Sequence, residues 1–363
     1  WLSSLQVKQN LLGFSLGSLE KYFQEIKESK FRAKQVFKWV HQKGITDFSL
    51  MTDLNKDLRE KLLKTAILQP PFIEDEFISD EGTKKYLIKL ISGSMVEMVI
   101  IPEGKRRTLC ISSQAGCALQ CTFCATGAQG FDQNLDCSEI IGQLWLANFM
   151  NRNDQPITNV VFMGMGEPLL NFDAVIESAK IMKDQLAYGL SRKKITISTS
   201  GIVPNIKRLS DHVDVSLAIS LHAPNDSLRD EIVPINKKYP IKMLIDSCKD
   251  FLNYYGNKRH ITIEYILIKD INDSIDHAKN LVKLLSQLSC KINLIPFNSF
   301  DGSNYERPSN NKINLFKSYI AEKGFITTLR TTRGDEVAAA CGQLVGNLSK
   351  SVKGKKLISH KSL

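Results

Sequence analysis

Apolar residues in the first part of the chain recur at spacings of three and four. LGSLEKYFQEIKES sets Leu19, Tyr22, Phe23 and Ile26 on one face, and FRAKQVFKWVHQKG repeats this with Phe31, Val36, Phe37 and Val40. That period marks amphipathic helices, and Gly44 supplies a stop. Gln69-Pro70-Pro71 then breaks the pattern. Residues 1–80 are therefore expected to form a small helical accessory domain. KKYLIKLI (84–91) and MVEMVII (95–101), either side of Ser92-Gly93-Ser94, predict a β-hairpin extension over 84–101.

Beyond the hairpin the pattern changes. Short β-rich runs recur: TLCISS, NVVFMGMG, KITISTSG, VDVSLAISL, ITIEYILI, KINLIPFN and ITTLRTT. Helical stretches separate most of them, among them SEIIGQLWLANFM, FDAVIESAKIM, IKMLIDSCKDFLNYYG and SIDHAKNLVKLLSQL. Strands apolar on both faces that alternate with helices predict a parallel sheet covered by helices. Six or seven such units predict an α/β fold, a full or partial β/α (TIM-like) barrel over 102–349. An open doubly wound sheet is the alternative. In a barrel the chemistry belongs at the C-terminal strand ends, and the unusual residues fall there: a cysteine-rich loop, Gly164-Met165-Gly166-Glu167-Pro168, Ser198-Thr199-Ser200-Gly201, Ser220-Leu221-His222 and Pro296-Phe297-Asn298.

Composition refines this picture only slightly. Apolar residues make up 43% and charged residues 24%, ordinary for a globular chain. No apolar run approaches the ~20 residues that span a bilayer. The start, WLSSLQVKQNLLGF, lacks a basic stretch before an apolar core, so no secretory signal is expected. Eight cysteines in such a chain point to reduced thiols with metal or redox roles, and to the cytoplasm. The net charge is +10, of which residues 1–80 carry +1 and the tail 350–363 carries +5. That tail is expected to be disordered. The remaining charge fits an RNA partner and a solvated surface equally well. Arg106-Arg107, Arg192-Lys193-Lys194, Lys207-Arg208 and Lys258-Arg259 could hold phosphates.

CALQCTFCATG is more specific. Cys117, Cys121 and Cys124 occupy eight positions of one loop. A structural zinc site is closed by four ligands, usually in two paired clusters, and the chain has no second CxxC or HxxxH. A 4Fe–4S cluster is also normally held by four thiolates. With three, one iron is left open to a substrate or cofactor. CxxxCxxC on the loop after the first barrel strand resembles the radical S-adenosylmethionine (SAM) superfamily. The resemblance implies that the open iron chelates the cofactor's methionine end, and that the cofactor is cleaved to a 5′-deoxyadenosyl radical. Gly164-Met165-Gly166-Glu167-Pro168 strengthens it, because glycines let a ligand approach the backbone closely.

TLCISSQAGCALQCTFCATG, FMGMGEPLLN, ISTSGIVP, SLAISLHAPND, IPFN and TTRGDEVAAACGQL together resemble the RlmN-type adenine C-2 methyltransferases, from about Lys84 to Val345. FRAKQVFKWVHQKG fits as well. The resemblance implies 23S ribosomal RNA and transfer RNA (position 37) as substrates, one 4Fe–4S cluster and two SAM molecules per turnover. It also implies an electron donor such as flavodoxin, a monomer and no membrane. Carbon 2 of adenine has no lone pair with which to attack a sulfonium methyl, so a radical route is needed.

The resemblance assigns Cys117, Cys121 and Cys124 to the cluster and Cys341 to a methylated-cysteine intermediate that becomes joined to RNA. Cys110 matches the resolving cysteine, which forms a transient disulfide with Cys341, and Glu97 the proton acceptor. Gly166, Glu167, Ser198, Ser220, Leu221, His222 and Asn298 match cofactor contacts. Read on its own residues, Glu97 is an outward-facing glutamate on an alternating strand; an apolar setting would instead raise its pKa toward general-base values. Cys110 and Cys341 on their own read as small buried residues, as do Cys137, Cys248 and Cys290. His222 alone reads as a hydrogen-bonded core histidine. Three other readings remain open: a carbon 8 methyltransferase of the antibiotic-resistance type, an RNA-binding protein with a structural metal, and a glycyl-radical activase.

Overall fold

The computed structural model describes residues 8–150, 154–256, 258–330, 338–340, 342–346 and 355–356. The helical periodicity near the start is realised as α1 (Leu16–Glu25) and α2 (Lys30–His41), capped by the Ser15 and Ser29 hydroxyls. A third helix, α3 (Lys56–Thr65), is capped by Asn55. Such caps satisfy amides that the first turn leaves without partners. Leu19, Phe23, Val36, Phe37, Val40, Leu58 and Leu62 are buried, whereas Phe31 turns outward. Two short strands, β1 (Gln9–Asn10) and β2 (Ala66–Ile67), pair in parallel and close the unit.

The helical unit ends before Pro70. Residues 72–78, assigned to it from the sequence, instead form β3 (Phe72–Ile78). The two prolines remove amide donors, and the chain restarts as an extended strand beside β4 (Lys84–Lys89). β5 (Met95–Glu103) and β6 (Arg106–Cys110) complete an antiparallel meander, so the hairpin expected at 84–101 is the middle of a longer ribbon. After a small hairpin of β7 (Gln114–Gly116) and β8 (Phe131–Asn134), which brackets α4 (Ala125–Gln129), come α5 (Cys137–Phe149) and β9 (Asn159–Phe162).

From β9 onward strand and helix alternate. The order is α6 (Phe172–Lys183), β10 (Ile195–Thr199), α7 (Val203–His212), β11 (Ser216–Ser220), α8 (Asp226–Ile232), α9 (Ile241–Tyr254), β12 (Ile261–Leu267), α10 (Ile275–Leu285), β13 (Cys290–Pro296), α11 (Asn310–Glu322) and β14 (Thr327–Leu329). Strands β6, β9, β10, β11, β12, β13 and β14 lie side by side in parallel. Among the described residues β14 pairs with β13 alone. The result is a partial β/α barrel, the fold class the alternation predicted. Of the tail, β15 (Lys355–Lys356) pairs with Phe77 and Ile78 of β3. No described helix is long and apolar enough to cross a membrane.

The helical unit packs on the outside of the barrel. Trp145 Nε1 of α5 donates to Val40 O at 3.0 Å, and His41 Nδ1 lies 3.1 Å from the Tyr188 hydroxyl. Ser18 Oγ donates to Glu177 of α6 at 2.6 Å. Gly142 lets Pro71 sit directly on α5, where a Cβ would collide with the proline ring.

Candidate active site

The loop after β6 carries the three cysteines. Its frame is the β7–β8 hairpin, closed by Cys117 N donating to Gly130 O at 2.8 Å. Gly116 has φ +73° and a Cβ there would run into the Gly130 carbonyl, so only glycine fits. Cys121 and Cys124 form a tight turn, with Cys124 N donating to Cys121 O at 3.1 Å, and α4 starts directly after it. All three cysteines line a single pocket at the strand ends. Burial pushes the Cys117 thiol up to about 12, and the Cys121 thiol is raised by the same cause. Without a metal these thiols would stay protonated near neutral pH; a bound cluster would hold them as thiolates.

Among the described residues no three His, Cys, Asp or Glu side chains converge on a point that one metal ion could occupy. Three thiols around one shared pocket supply the thiolate donors that an iron–sulfur cluster takes. The donor set therefore fits a 4Fe–4S cluster.

The glycine-rich segment after β9 forms the next wall. A Cβ on Gly164 would lie 2.5 Å from the Ile111 carbonyl oxygen, and Gly166 has φ +95° against Gln114. Glu167 N donates to Gln114 Oε1 at 2.8 Å, and Met165 N to Ser112 Oγ at 2.9 Å. The Glu167 carboxylate is buried and accepts from Ser200 N at 2.8 Å and Leu169 N at 3.1 Å. Burial raises its pKa, and these amide donors pull it back down. A buried carboxylate in a pocket wall suits a ligand's ammonium group.

Ser198 and Ser220 end β10 and β11 with their hydroxyls 3.4 Å apart, and both line the pocket. His222 also lines it, at the unusual φ of +62°. Its Nδ1 accepts from Ile266 N at 3.0 Å, and burial, helped by Arg229, pushes its pKa down to about 3. It is a neutral imidazole with the proton on Nε2, packed edge-on against Phe123 of the cysteine loop at 4.7 Å. His222 is thus a hydrogen-bonded core residue that also reaches the pocket. Leu221 and Asn298 are buried but stand outside the pocket wall. Gly166 and Glu167 stand inside it.

A second cluster sits on the antiparallel ribbon. Register places Asp75, Leu87 and Glu97 in one row across β3, β4 and β5, and Phe77, Lys85, Val99 and Cys110 in the row after next, beyond Glu76, Tyr86 and Met98, so that both rows lie on one face. Directly opposed residues share a face, so Glu97, Lys85 and Cys110 point the same way. That face is not outward. Residues 338–340 and 342–346 cover it, and Glu97 is 1% exposed. Glu97 Oε1 lies 3.0 Å from Lys85 Nζ, and Oε2 accepts from Val345 N at 3.1 Å. Burial raises the Glu97 pKa; Lys85 and the Val345 and Gly346 amides oppose the rise. Cys341 lies outside the described residues. Its chain neighbour Gly342 lines the pocket, tied to the cysteine loop by Ala125 N donating to Gly342 O at 2.8 Å.

Three functional candidates escape a reading of the sequence. Arg229, in NDSLRDEIVPIN, reads as a solvated arginine among acids. It is fully buried and donates to the carbonyls of Leu221 (3.0 Å), Ser220 (3.1 Å) and Ser200 (2.5 Å) and to Asn236 Oδ1 (2.8 Å). It ties the ends of β10 and β11 together. Glu264 of β12 lines the pocket and accepts from Asn293 at 2.8 Å. Lys85 is the third; its one sequence signal is a lysine in register with Leu87 on a half-apolar strand.

Comparison with known proteins agrees with this geometry. Residues 9–68 match the family described as the ribosomal RNA large subunit methyltransferase N-terminal domain, and residues 111–284 the radical SAM superfamily. A crystal structure of a radical SAM methyltransferase from Sphaerobacter thermophilus superposes with a TM-score of 0.88 at 38% identity, covering 93% of this chain and 100% of that one. The fold and site define a radical SAM methyltransferase.

The dual-specificity RNA methyltransferase RlmN of Pseudomonas fluorescens (strain SBW25) is 54% identical over 96% of this chain and 92% of its own. That of Pseudomonas putida (strain W619) is 55% identical over 94% and 91%. The chain belongs to the RlmN family of radical SAM RNA methyltransferases. Membership implies SAM and a 4Fe–4S cluster as cofactors.

Proposed function

We propose that this enzyme methylates carbon 2 of adenine in 23S ribosomal RNA and at position 37 of transfer RNA, through a covalent bond between the base and Cys341. The observation that carries the reading is the pocket itself, where three cysteines and the buried Glu167 meet Gly342, next in the chain to Cys341. Cys117, Cys121 and Cys124 would hold the cluster. Gly166, Glu167, Ser198, Ser220, Leu221, His222 and Asn298 would hold SAM, with two molecules used per turnover. When bound, these groups supply the methyl carbon and the one-electron chemistry that a C–H carbon without a lone pair requires.

The chain's own residues do the rest. Cys341 takes the methyl group on sulfur and, through that carbon, becomes joined to carbon 2. Glu97 removes the carbon 2 proton; the Lys85 ammonium beside it favours the carboxylate form that can accept one. Cys110, as its thiolate, then attacks the Cys341 sulfur; the bond from that sulfur to the bridging carbon breaks with its electron pair on the carbon, which takes up a proton to complete the methyl group, and a transient Cys110–Cys341 disulfide is left. Six of the seven described cysteines, Cys117, Cys121, Cys124, Cys137, Cys248 and Cys290, are free thiols. Presenting the base to this pocket requires lifting it from its stack. A cytoplasmic monomer served by a flavodoxin-like electron donor completes the reading.

The test is nucleoside mass spectrometry of 23S fragments and transfer RNA treated with reconstituted enzyme, SAM and reductant. Product that co-elutes with 2-methyladenosine is expected. Product that co-elutes with 8-methyladenosine would move the reaction to the other carbon, and no methylated adenosine from an iron-replete enzyme would overturn the reading.

A further inference from the structure

The Lys85–Glu97 pair is a costly way to join two strands. Their side chains are 3% and 2% exposed, and desolvating two charges consumes most of what their attraction returns. The pair also does more than join β4 to β5. Lys85 Nζ donates to Ala338 O at 3.4 Å, Glu97 Oε2 accepts from Val345 N, and the Glu97 carboxylate also accepts from the Gly346 amide. The two side chains therefore grip a short strap, residues 338–340 and 342–346, which flank Cys341 in the sequence. Between those grips the strap is tied to the cysteine loop, by Ala125 N to Gly342 O and by Thr126 Oγ1 to Leu344 O at 2.6 Å. At Gly346 the strap lies so close to Met95 that a Cβ would collide with its carbonyl oxygen. Cys110 stands on the gripped face, opposite Val99 and two rows from Glu97.

We propose that Lys85 is a positioning residue, and that the Lys85–Glu97 pair is a proton-operated clasp on the strap that carries Cys341. This rests on the reading of Glu97 as the proton acceptor. When the covalent adduct gives up its carbon 2 proton, the C–H bonding pair stays with the base and the proton goes to Glu97, whose charge falls from −1 to 0. A neutral acid accepts more weakly from the Val345 and Gly346 amides than a carboxylate does. Lys85 keeps its charge and loses its counter-ion in a buried setting, which favours rearrangement. The strap is released at the step at which the Cys341 sulfur must meet Cys110. Proton removal and resolution are thereby coupled in the right order.

Other ionisable groups on this face are few. Asp75 lies in the Glu97 row two strands away, Cys110 is on β6, and Lys89 stands at the far end of β4. The strap itself presents only backbone amides to Glu97 among the described residues. Among the described residues, Lys85 is the cation that acts on Glu97.

The test follows adduct resolution against pH in Lys85→Met, Lys85→Arg and Glu97→Gln enzymes, each checked for iron content and for methylated Cys341. Lys85→Met should carry normal iron and methylated Cys341, accumulate RNA adduct at pH 7, and resolve it at least about tenfold more slowly. Its resolution midpoint should move up by about one pH unit or more, because one unit is a tenfold change in the ionised fraction. Lys85→Arg keeps the charge and should return the midpoint toward that of the parent, including if Lys85→Met does not fold. Glu97→Gln should trap adduct at every pH. If it turns over normally, the assignment of Glu97 fails and the clasp with it. If Glu97→Gln traps adduct while Lys85→Met, or Lys85→Gln in its place, resolves with an unshifted midpoint, the clasp alone is overturned.

Discussion

Replacing Cys341 with alanine is expected to leave a protein that binds iron and SAM as the parent does yet makes no methylated RNA. The fall should be at least about a thousandfold, as expected when the atom that forms the covalent intermediate is removed. Of the other described cysteines, Cys110 is the resolving thiol in this account and none of the rest is placed to stand in. Cys137 opens α5, Cys248 is buried in α9 and Cys290 opens β13, all outside the pocket wall. Cys117, Cys121 and Cys124 line the pocket but are the cluster's ligands in this account. The checks are iron analysis, equilibrium binding of SAM and nucleoside mass spectrometry on one preparation. Residual product above background would show that the methyl group reaches the base without this sulfur.

Arg229→Met should cause the largest loss of stability of any single substitution near the pocket. The guanidinium fork satisfies three backbone carbonyls and Asn236 in a site without solvent. Methionine fills the volume but leaves those acceptors without donors, each worth about 1–3 kcal/mol when buried. A total of about 3–5 kcal/mol is expected from denaturant unfolding. Arg229→Lys should recover little, since one ammonium cannot reproduce the fork. The strand ends that carry Ser200, Ser220 and Leu221 should loosen, so SAM affinity should fall as well. Parent-like stability in Arg229→Met would mean that the carbonyls find other partners.

How much of this was legible in the sequence depended on how local each signal is. The helix and strand periods of α1, α2, α5, α6, α9, α10 and the seven parallel strands are carried by neighbouring residues, and they formed where expected. The cysteine spacing and the glycine-rich segment are also local, and each falls directly after a strand, on one pocket. The strand β3 was missed because FIEDEFI shows no clean alternation; its identity comes from pairing with β4. The face of Glu97 was misjudged from its own residues for the same reason. Alternation says which residues share a face, but not that a segment some 250 positions later covers it. Arg229 carries no sequence mark at all, because its role is defined by carbonyls at the ends of two other strands.

The covalent route through Cys341 separates this enzyme from any protein that merely holds a cluster and RNA, and trapping it is the most direct measurement. Cys110→Ala enzyme, reconstituted and given RNA, SAM and reductant, should accumulate a protein–RNA adduct, seen as a slower-migrating species on a denaturing gel. After nuclease digestion, peptide mass spectrometry should place an adenosine joined through one carbon on Cys341. Free RNA, with methylated adenosine formed at the parent's rate and no adduct, would contradict the account.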